Sequence, residues 1–195
     1  MPSACDLLTI GHSNLPADRF LALLKAGNVT AIADVRSVPS SRWCPWFSRK
    51  PLAERLTTEG IAYLWLGDSL GGRPREQALY RNGVADYEAM AATPQFRAGL
   101  DRLVGEIGRH RLCLLCAERE PLDCHRCLLV SRSLAEHGLA AGHIRPDGTI
   151  ELHPATEERL LDLTGAEHDL FGDRAARLVD AYRQRAQAVA ARLKA

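Results

Sequence analysis

Short apolar runs alternate with amphipathic stretches along most of the chain. The runs are rich in Leu, Ile, Val and Ala, and they lie at residues 7–10, 30–35, 61–66 and 111–116. Runs of this length are typical of strands that a parallel sheet buries on both faces. Their alternation with helical patterns predicts a three-layer α/β fold, in which a mostly parallel sheet has helices on both faces.

The amphipathic stretches carry the start and stop signals of helices. Thr93 and Pro94 form an N-cap and first-turn pair for a helix that runs to Gly108. Asp123 is predicted to cap a further helix that runs to Gly138. The other predicted elements are helices at 16–27 and 51–59, a loop with a short helix at 74–92, and short strands at 141–144 and 149–153.

Residues beyond about 156 contain helical patterns and no strand signal. We therefore expect an α/β domain at residues 1–155 and a helical C-terminal extension at residues 156–195. The last part, residues 173–194, is rich in Ala and Arg, which fits either an exposed helix or a tail that binds a partner.

Composition and charge narrow the class of protein. The chain has 195 residues, of which 46% are hydrophobic, and 25 basic and 24 acidic residues give a formal net charge of +1. This near-zero net charge argues against a protein that coats nucleic acid non-specifically. It does not exclude a local basic patch on the surface. The amino terminus lacks the segments of a signal peptide, and no apolar run approaches the ~20 residues of a membrane helix. We expect a soluble cytoplasmic protein with reduced cysteines and no membrane partner.

Polar motifs follow each of the four predicted strands. In an open α/β sheet, ligands bind beyond the carboxyl ends of the strands, so we expect these motifs to form one site. The candidate residues are Gly11, His12, Ser13, Asp34, Arg36, Ser37, Arg42, Gly71, Gly72, Arg73, Cys116, Glu118, Cys124, His125 and Arg126.

The same motifs resemble those of the uncharacterised DUF-488 family. The shared strings are Thr9-Ile10-Gly11-His12-Ser13, Asp34-Val35-Arg36-Ser37-Val38-Pro39, Leu66-Gly67 with Leu70-Gly71-Gly72, Leu115-Cys116-Ala117-Glu118, Cys124-His125-Arg126, and His143-Ile144 with Asp147-Gly148. The resemblance covers roughly residues 7–160. It implies an α/β domain whose signature is the Cys-Ala-Glu and Cys-His-Arg pair, with a loose link to DNA repair or nucleic-acid modification.

Cys116 is the predicted nucleophile or metal ligand. It lies where a strand gives way to a loop, and His125 and Arg126 are expected in the first turn of the next helix. There the helix dipole and a guanidinium favour a thiolate or a bound anion. An inert buried thiol is the open alternative, because Cys is among the most buried residue types. Glu118 is the candidate general acid or base, and His125 completes the catalytic set.

The other candidates are assigned to anion binding. His12 and Ser13 precede a helix whose free backbone amides can hold a phosphate or carboxylate, although Ser13 can instead cap that helix. Asp34 is expected to pair with a nearby arginine. Four arginines form a predicted clamp for a phosphate-bearing substrate, and these are Arg36, Arg42, Arg73 and Arg126.

Basic and aromatic residues alternate at positions 42–50, a pattern typical of surfaces that stack nucleic-acid bases. The alternative, which the sequence favours, is that Trp46 and Phe47 cover the core beneath a loop. His143 and His153 flank the final pair of strands, and both are expected to be structural.

Four cysteines have the paired spacing of a zinc site, and these are Cys113, Cys116, Cys124 and Cys127. Cys113 and Cys116 are three apart on a predicted strand, so their side chains point to opposite faces and a four-cysteine site is not expected. A smaller zinc site of Cys116, Cys124 and His125 remains open. No other cofactor is evident, because dinucleotide-binding and P-loop motifs are absent from the sequence.

The sequence thus predicts an enzyme that acts by hydrolysis or group transfer on a nucleotide, a nucleic-acid base or another anionic substrate. Cys116, Glu118 and His125 would carry the chemistry. One alternative is a nucleic-acid-binding module linked to DNA repair, and another is a metal-binding protein that uses Cys116, Cys124 and His125. The expected partner is accordingly an anionic small molecule or a nucleic acid.

Overall fold

A computed structural model describes residues 5–165 and 173–192 of the chain. The strands, numbered in chain order, are β1 (Leu7–Gly11), β2 (Ala31–Asp34), β3 (Ala62–Trp65), β4 (Tyr80–Arg81), β5 (Val84–Ala85), β6 (Leu112–Cys116), β7 (Ala141–Ile144) and β8 (Ile150–Leu152). The α-helices are α1 (Ala17–Ala26), α2 (Arg49–Thr58), α3 (Tyr87–Ala91), α4 (Pro94–Val104), α5 (Arg132–Glu136), α6 (His153–Thr164) and α7 (Arg174–Arg192). Short 3₁₀ helices lie at Pro45–Phe47, Gln77–Leu79 and Pro121–Asp123, and a π-helix spans Arg126–Ser131.

The main sheet has the strand order β3-β2-β6-β1-β7-β8. Its first five strands are parallel, and β8 pairs antiparallel with β7 at one edge. Every residue of β1, β2, β6 and β7 is buried, as the continuous apolar pattern predicts for β6, whereas the residues of the edge strand β3 are exposed or half-buried. The predicted α/β fold with a mostly parallel sheet is therefore confirmed.

Helices cover both faces of the main sheet. On one face Leu115 packs in a cluster with residues of α1 and α2, such as Phe20 and Leu56. On the other face Leu114 packs with residues of α4, α6 and the π-helix, such as Phe96. Cys113 belongs to the first cluster and Cys116 to the second, so the two side chains point to opposite faces as predicted.

The described residues beyond 156 form the end of α6 and α7, which agrees with the predicted helical extension, but α7 is not an exposed tail. Ala181, Tyr182 and Val189 are buried in the same core as Phe96, because the apolar face of α7 packs onto the domain. The division into residues 1–155 and 156–195 stays a prediction. Residues 166–172 and 195 of the predicted extension, and residues 193–194 of the predicted tail, lie outside the described part. None of the described helices combines the length and the apolar character needed to cross a membrane.

Residues 74–92 contain more regular structure than predicted. The expected short helix is α3, but β4 and β5 form an additional antiparallel hairpin before it. Asn82 and Gly83 turn this hairpin with positive φ angles of 53° and 74°, which is the signature of a tight hairpin turn. Thr93 caps α4 through Phe96 as predicted, but α4 ends at Val104, before the expected Gly108.

The helix predicted from Asp123 to Gly138 is divided. Asp123 does not cap it, and its carboxylate instead accepts a hydrogen bond from Arg185 of α7. The chain forms the π-helix before α5, and Ser131 Oγ donates to the Arg126 carbonyl oxygen at 2.8 Å across the widened turn. All six residues of the π-helix are buried, which an ordinary amphipathic helix does not achieve.

Candidate functional site

The loops that follow β1, β2, β3 and β6 meet at one edge of the sheet, because these strands run in the same direction. They border a cavity of about 200 Å³, which we call the rim pocket. Its lining residues are His12, Arg36, Ser37, Val38, Ser40, Ser41, Gly72, Arg73, Cys116, Ala117, Glu118 and His125. The fold thus brings together polar motifs that are far apart in sequence.

Several residues predicted for the site do not line the rim pocket, and these are Gly11, Ser13, Asp34, Arg42, Gly71, Cys124 and Arg126. Conversely, Val38, Ser40, Ser41 and Ala117 line the pocket without having been singled out. Val38 and Ala117 lie within the strings shared with the DUF-488 family, whereas the only signal for Ser40 and Ser41 was their position in a loop that follows a strand.

Four side chains form a compact group at the floor of the rim pocket, which we call the Cys-Glu-His cluster. They are Cys116, Glu118, Cys124 and His125, and their ligand atoms all lie within 4.8 Å of one another. Glu118 Oε2 accepts hydrogen bonds from Cys116 Sγ at 2.9 Å and from Cys124 Sγ at 3.1 Å. His125 Nδ1 lies 3.6 Å from Cys116 Sγ and 3.9 Å from Cys124 Sγ. Such a group can hold a metal ion or exchange protons.

The imidazole of His125 has a fixed tautomer. Its Nε2 lies 2.9 Å from the backbone oxygen of Val35, and this nitrogen must donate because a carbonyl oxygen only accepts. In the neutral ring, Nδ1 therefore keeps its lone pair and directs it toward the two sulfur atoms of Cys116 and Cys124.

Burial and neighbouring charges control ionisation in the Cys-Glu-His cluster. Burial raises the pKa of the Cys116 thiol, and Cys124 and Glu118 raise it further. Burial also raises the pKa of Glu118, again with a contribution from Cys124. Burial opposes ionisation of Cys124, but its hydrogen bond with Cys116 and the charges of Arg126 and His125 lower its pKa. A protonated Cys116 can share its proton with Glu118, but it is a poor nucleophile.

Arg126 supports the Cys-Glu-His cluster from behind. The side chain is fully buried, and its guanidinium donates to the backbone oxygens of Glu118 at 2.6 Å and Arg119 at 3.0 Å. Its Nε donates to Thr9 Oγ1 at 3.3 Å. Contrary to the expected clamp, Arg126 points away from the rim pocket and fixes the loop that carries Glu118.

Arg36 lines the rim pocket, but its guanidinium is engaged with the protein. Nε and Nη2 donate to the two carboxylate oxygens of Asp34 at 2.9 and 2.6 Å, which is the pairing expected for Asp34. Nη1 donates to Phe47 O at 2.8 Å and to His12 Nε2 at 3.1 Å. His12 Nδ1 bonds to Ser13 O, and burial followed by the charge of Arg36 lowers the pKa of His12 to about 4. These residues form a wall of fixed geometry beside the pocket.

The backbone amides after β1 do not form the predicted anion cradle. The amide of His12 donates to Cys116 O at 2.9 Å, and the amide of Ser13 donates to Ala117 O at 2.8 Å. The N-cap residue of α1 is Pro16, so Ser13 does not cap this helix either. Both expectations are wrong, because the chain after β1 continues to pair with the loop after β6.

Arg73 is a cation of the rim pocket whose guanidinium remains available. Its backbone amide donates to Ser37 Oγ at 3.0 Å, which joins the loop after β3 to the loop after β2. The side chain is exposed and makes no hydrogen bond or ion pair with another residue of the described part. The hydroxyls of Ser37, Ser40 and Ser41 line the same pocket. Arg73 with these hydroxyls is a suitable environment for an anion.

The loop between β2 and α2 combines buried and exposed aromatic rings. Phe47 is buried and stacks on His12 with 4.3 Å between ring centroids, so it covers the core as expected. Trp46 is 40% exposed and covers the core only in part. Trp43 is 82% exposed, and the Arg42 guanidinium lies 5.0 Å from its ring centroid. Arg42 is therefore outside the rim pocket, stacked on an exposed indole.

A buried chain of hydrogen bonds, which the sequence did not reveal, runs from β1 to α7. Thr9 Oγ1 bonds to His143 Nδ1 at 2.8 Å, His143 Nε2 to His153 Nδ1 at 3.1 Å, and His153 Nε2 to Tyr182 OH at 2.9 Å. Tyr182 OH donates to Glu157 at 3.1 Å, so each imidazole donates from Nε2 and accepts at Nδ1. This arrangement of donors and acceptors requires that the imidazole rings of His143 and His153 are both neutral. Burial favours the neutral form, since it lowers the pKa of His153 to about 4.

Close approach of the backbone explains the glycines of the site. A Cβ on Gly72 would lie 2.6 Å from Cγ of His125, and a Cβ on Gly11 would lie 1.6 Å from the backbone oxygen of Glu118. Gly71 is similarly crowded. These positions keep the rim loops in contact, and any larger residue would push them apart.

The fold and the site together define a class: an α/β domain whose strand ends carry a Cys-Glu-His cluster beside an available arginine. The chain belongs to the family described as domain of unknown function DUF488, which matches residues 16–133, more than half of its length. The motifs around Gly11-His12, His143-Ile144 and Asp147-Gly148 lie outside the matched residues. No curated protein and no solved structure matches the chain.

Proposed function

We propose that this chain is an enzyme that binds the anionic group of a small substrate in the rim pocket and acts on it by hydrolysis or group transfer. One observation carries the proposal: an available guanidinium, on Arg73, borders the same cavity as Cys116, Glu118 and His125 of the Cys-Glu-His cluster. A cation suits the binding of an anion, and a carboxylate beside an imidazole suits proton transfer at a neighbouring atom.

The size of the rim pocket limits what enters it. Pockets that enclose a whole drug-sized ligand are usually about 300–1,000 Å³, whereas the rim pocket holds about 200 Å³. This volume fits a phosphate group with a small attachment, or a single base, better than a whole nucleotide. The rest of a nucleotide would lie over the adjacent loop, where Trp43 offers an exposed ring on which a base can stack.

A second candidate is a module that binds single-stranded nucleic acid, and the exposed Trp43 with Arg42 favours it. This function predicts affinity for an oligonucleotide that falls steeply as salt concentration rises. It does not require the Cys-Glu-His cluster, so substitution of Glu118 with Gln would leave the affinity unchanged.

The test measures binding and turnover on the full chain. Calorimetry with inorganic phosphate and adenosine monophosphate should show binding that Arg73→Ala weakens by about tenfold, the effect of losing one charge-assisted contact. Arg75→Ala is the matched control, because Arg75 borders a neighbouring cavity instead.

Glu118→Gln tests the turnover step. It should lower the rate of phosphate-ester hydrolysis by about 100-fold or more with little change in phosphate affinity. Equal effects of the two arginine variants, or no anion binding at all, would contradict the proposal.

A further inference from the structure

We propose that Cys116, Cys124 and His125 bind one zinc ion at the floor of the rim pocket, with the fourth coordination position open toward Glu118. Any catalytic use of the ion rests on the function proposed above, whereas binding of the ion does not. Two cysteines and one histidine with an open position form a ligand set typical of catalytic zinc.

The distances within the cluster suit a tetrahedral ion. Bond lengths of about 2.3 Å to sulfur and about 2.0 Å to nitrogen put these two ligand atoms about 3.5 Å apart around zinc. His125 Nδ1 lies 3.6 Å from Cys116 Sγ and 3.9 Å from Cys124 Sγ. Glu118 Oε2 is closer to the sulfurs, at 2.9 and 3.1 Å, and accepts hydrogen bonds from both thiols. Glu118 therefore lies just outside the three zinc ligands, in the second coordination shell. There its carboxylate accepts the protons that the two thiols release on binding zinc.

Neighbouring groups already hold the ligands in the orientation that a metal needs. Histidine ligands usually donate their other ring N–H to a carbonyl or carboxylate, and Nε2 of His125 does so to Val35 O. The backbone amide of Arg126 points at Cys124 Sγ at 3.4 Å and can donate to a thiolate there. Both contacts position donor atoms that have lone pairs directed to one point.

Charge balance also favours a divalent cation. Cys116, Glu118 and Cys124 carry three negative charges when ionised, and the guanidinium of Arg126 is a buried cation beside them. A divalent ion together with Arg126 neutralises the whole group.

A separate observation indicates a further ligand near the cluster. The hydroxyl of Tyr87 is buried without a hydrogen-bond partner among the described residues. Tyr87 packs in the core that contains Cys116 and Cys124, and burial followed by the charges of those two cysteines raises the pKa of its hydroxyl. A buried hydroxyl seldom lacks a partner in a native protein, and a metal-bound water or substrate oxygen would provide one.

Among the described residues, Cys113 and the group of Cys127, His143 and His153 do not compete for this role. Cys113 points to the opposite face of the sheet. Cys127 lies near His143 and His153, but Nε2 of His143 and Nδ1 of His153 are engaged with each other at 3.1 Å. The Cys-Glu-His cluster differs because His125 directs an uncommitted lone pair at two sulfurs, and because Cys116 and His125 border the pocket.

The first test is the metal content of the full chain purified without chelator. Native mass spectrometry and elemental analysis should show about one zinc ion per chain. After zinc is stripped, addition of Co²⁺ should produce the near-ultraviolet absorption of a thiolate–cobalt bond, and addition of zinc should raise the Tm. A chain that contains no transition metal and gives no cobalt absorption would overturn the proposal.

Variants identify the ligands. Cys116→Ser, Cys124→Ser and His125→Gln should each weaken zinc binding by about tenfold or more, whereas Glu118→Gln should retain stoichiometric zinc. Cys113→Ser is the matched control, since it removes a buried thiol from the same strand, and loss of the cobalt absorption in this variant would count against the assignment. Zinc binding without anion binding or turnover would refute only the proposed function. Turnover by a chain that contains no metal as purified and gives no cobalt absorption would refute only the zinc site.

Discussion

His125 Nε2 donates to the backbone oxygen of Val35 at 2.9 Å, and this contact ties the orientation of the imidazole to the register of the sheet. The amide of Val35 in turn donates to Leu115 O at 3.1 Å, one residue before Cys116 at the end of β6. The pairing of β2 with β6 therefore positions both the Cys116 sulfur and the His125 ring. A site built on adjacent strands in this way is more rigid than one built on loops alone.

Gly72→Ala tests whether the position of His125 matters for function. A Cβ at this residue would lie 2.6 Å from Cγ of His125, so the imidazole must move. Displacement of a reacting group by about 1 Å can cost about 100-fold in rate, and we expect a fall of that order in turnover together with weaker metal binding. Overpacking should lower the free energy of unfolding by about 1–3 kcal/mol.

Gly105→Ala is the control for this substitution. Gly105 is the C-cap residue of α4, and a Cβ there meets only backbone oxygens of its own helix at 3.5 Å, which is ordinary contact. Turnover and metal content should match those of the unsubstituted chain. If Gly72→Ala behaves in the same way, the close contact with His125 has no role in the chemistry.

Arg126→Lys is expected to destabilise the protein although it preserves the charge. Lysine cannot donate simultaneously to the carbonyls of Glu118 and Arg119 and to Thr9, so buried acceptors lose their partners. Each such loss costs about 1–3 kcal/mol, so the loss of two of these three contacts gives about 2–6 kcal/mol in total. Urea unfolding in the presence of a chelator measures this loss in the free energy of unfolding without a contribution from bound metal.

Arg119→Ala is the control, because it removes only an exposed contact and should lower the free energy of unfolding by less than about 1 kcal/mol. If Arg126→Lys and Arg119→Ala lower the free energy of unfolding equally, the role assigned to Arg126 is refuted.

The sheet and the meeting of its rim loops are predictable from the sequence, because they depend on patterns that repeat over several residues. Buried parallel strands need continuous apolar runs, and the residues after them share one edge by topology. The same reasoning predicts that Cys116, Glu118 and Arg73 share this edge, whereas His125 follows from the motif at the start of the next predicted helix.

The direction of each polar side chain is not predictable in the same way. Arg36, Arg73 and Arg126 are all predicted to bind the same anion, yet among these three only the guanidinium of Arg73 is left available. The others are engaged by carbonyl groups that are remote in sequence, such as Phe47 O for Arg36. The π-helix, which buries Arg126, was also missed, because single-residue propensities do not distinguish it from an α-helix.

His153→Gln tests the buried chain of neutral histidines. The pKa of His153 is lowered from 6.5 to about 4 in the folded chain by burial. The folded state then binds fewer protons than the unfolded state between these values. The stabilisation is therefore complete above the unfolded pKa and decreases as pH falls through this range. The variant lacks this titration, so its destabilisation relative to the unsubstituted chain should shrink by about 2 kcal/mol between about pH 7.5 and pH 5.

His137→Gln is the matched control, since His137 is exposed on the surface. Its effect on the free energy of unfolding should be small. A destabilisation by His153→Gln that is the same at both pH values would mean that the pKa of His153 is not lowered in the folded chain, and the directional hydrogen bonds from His143 to Tyr182 would then lose their support.

Trp43→Ala distinguishes a substrate that carries a base from a simple anion. The indole is 82% exposed beside a loop that borders the rim pocket, so its removal should have little effect on the Tm. Stacking of one base on an aromatic ring contributes about 1–3 kcal/mol, so affinity for adenosine monophosphate should fall between about fivefold and 100-fold. Affinity for inorganic phosphate should not change, and Trp43→Phe should restore most of the nucleotide affinity because it retains a ring. Equal affinities of the Ala variant and the unsubstituted chain for the nucleotide would exclude stacking on Trp43 and leave a small anion as the substrate class.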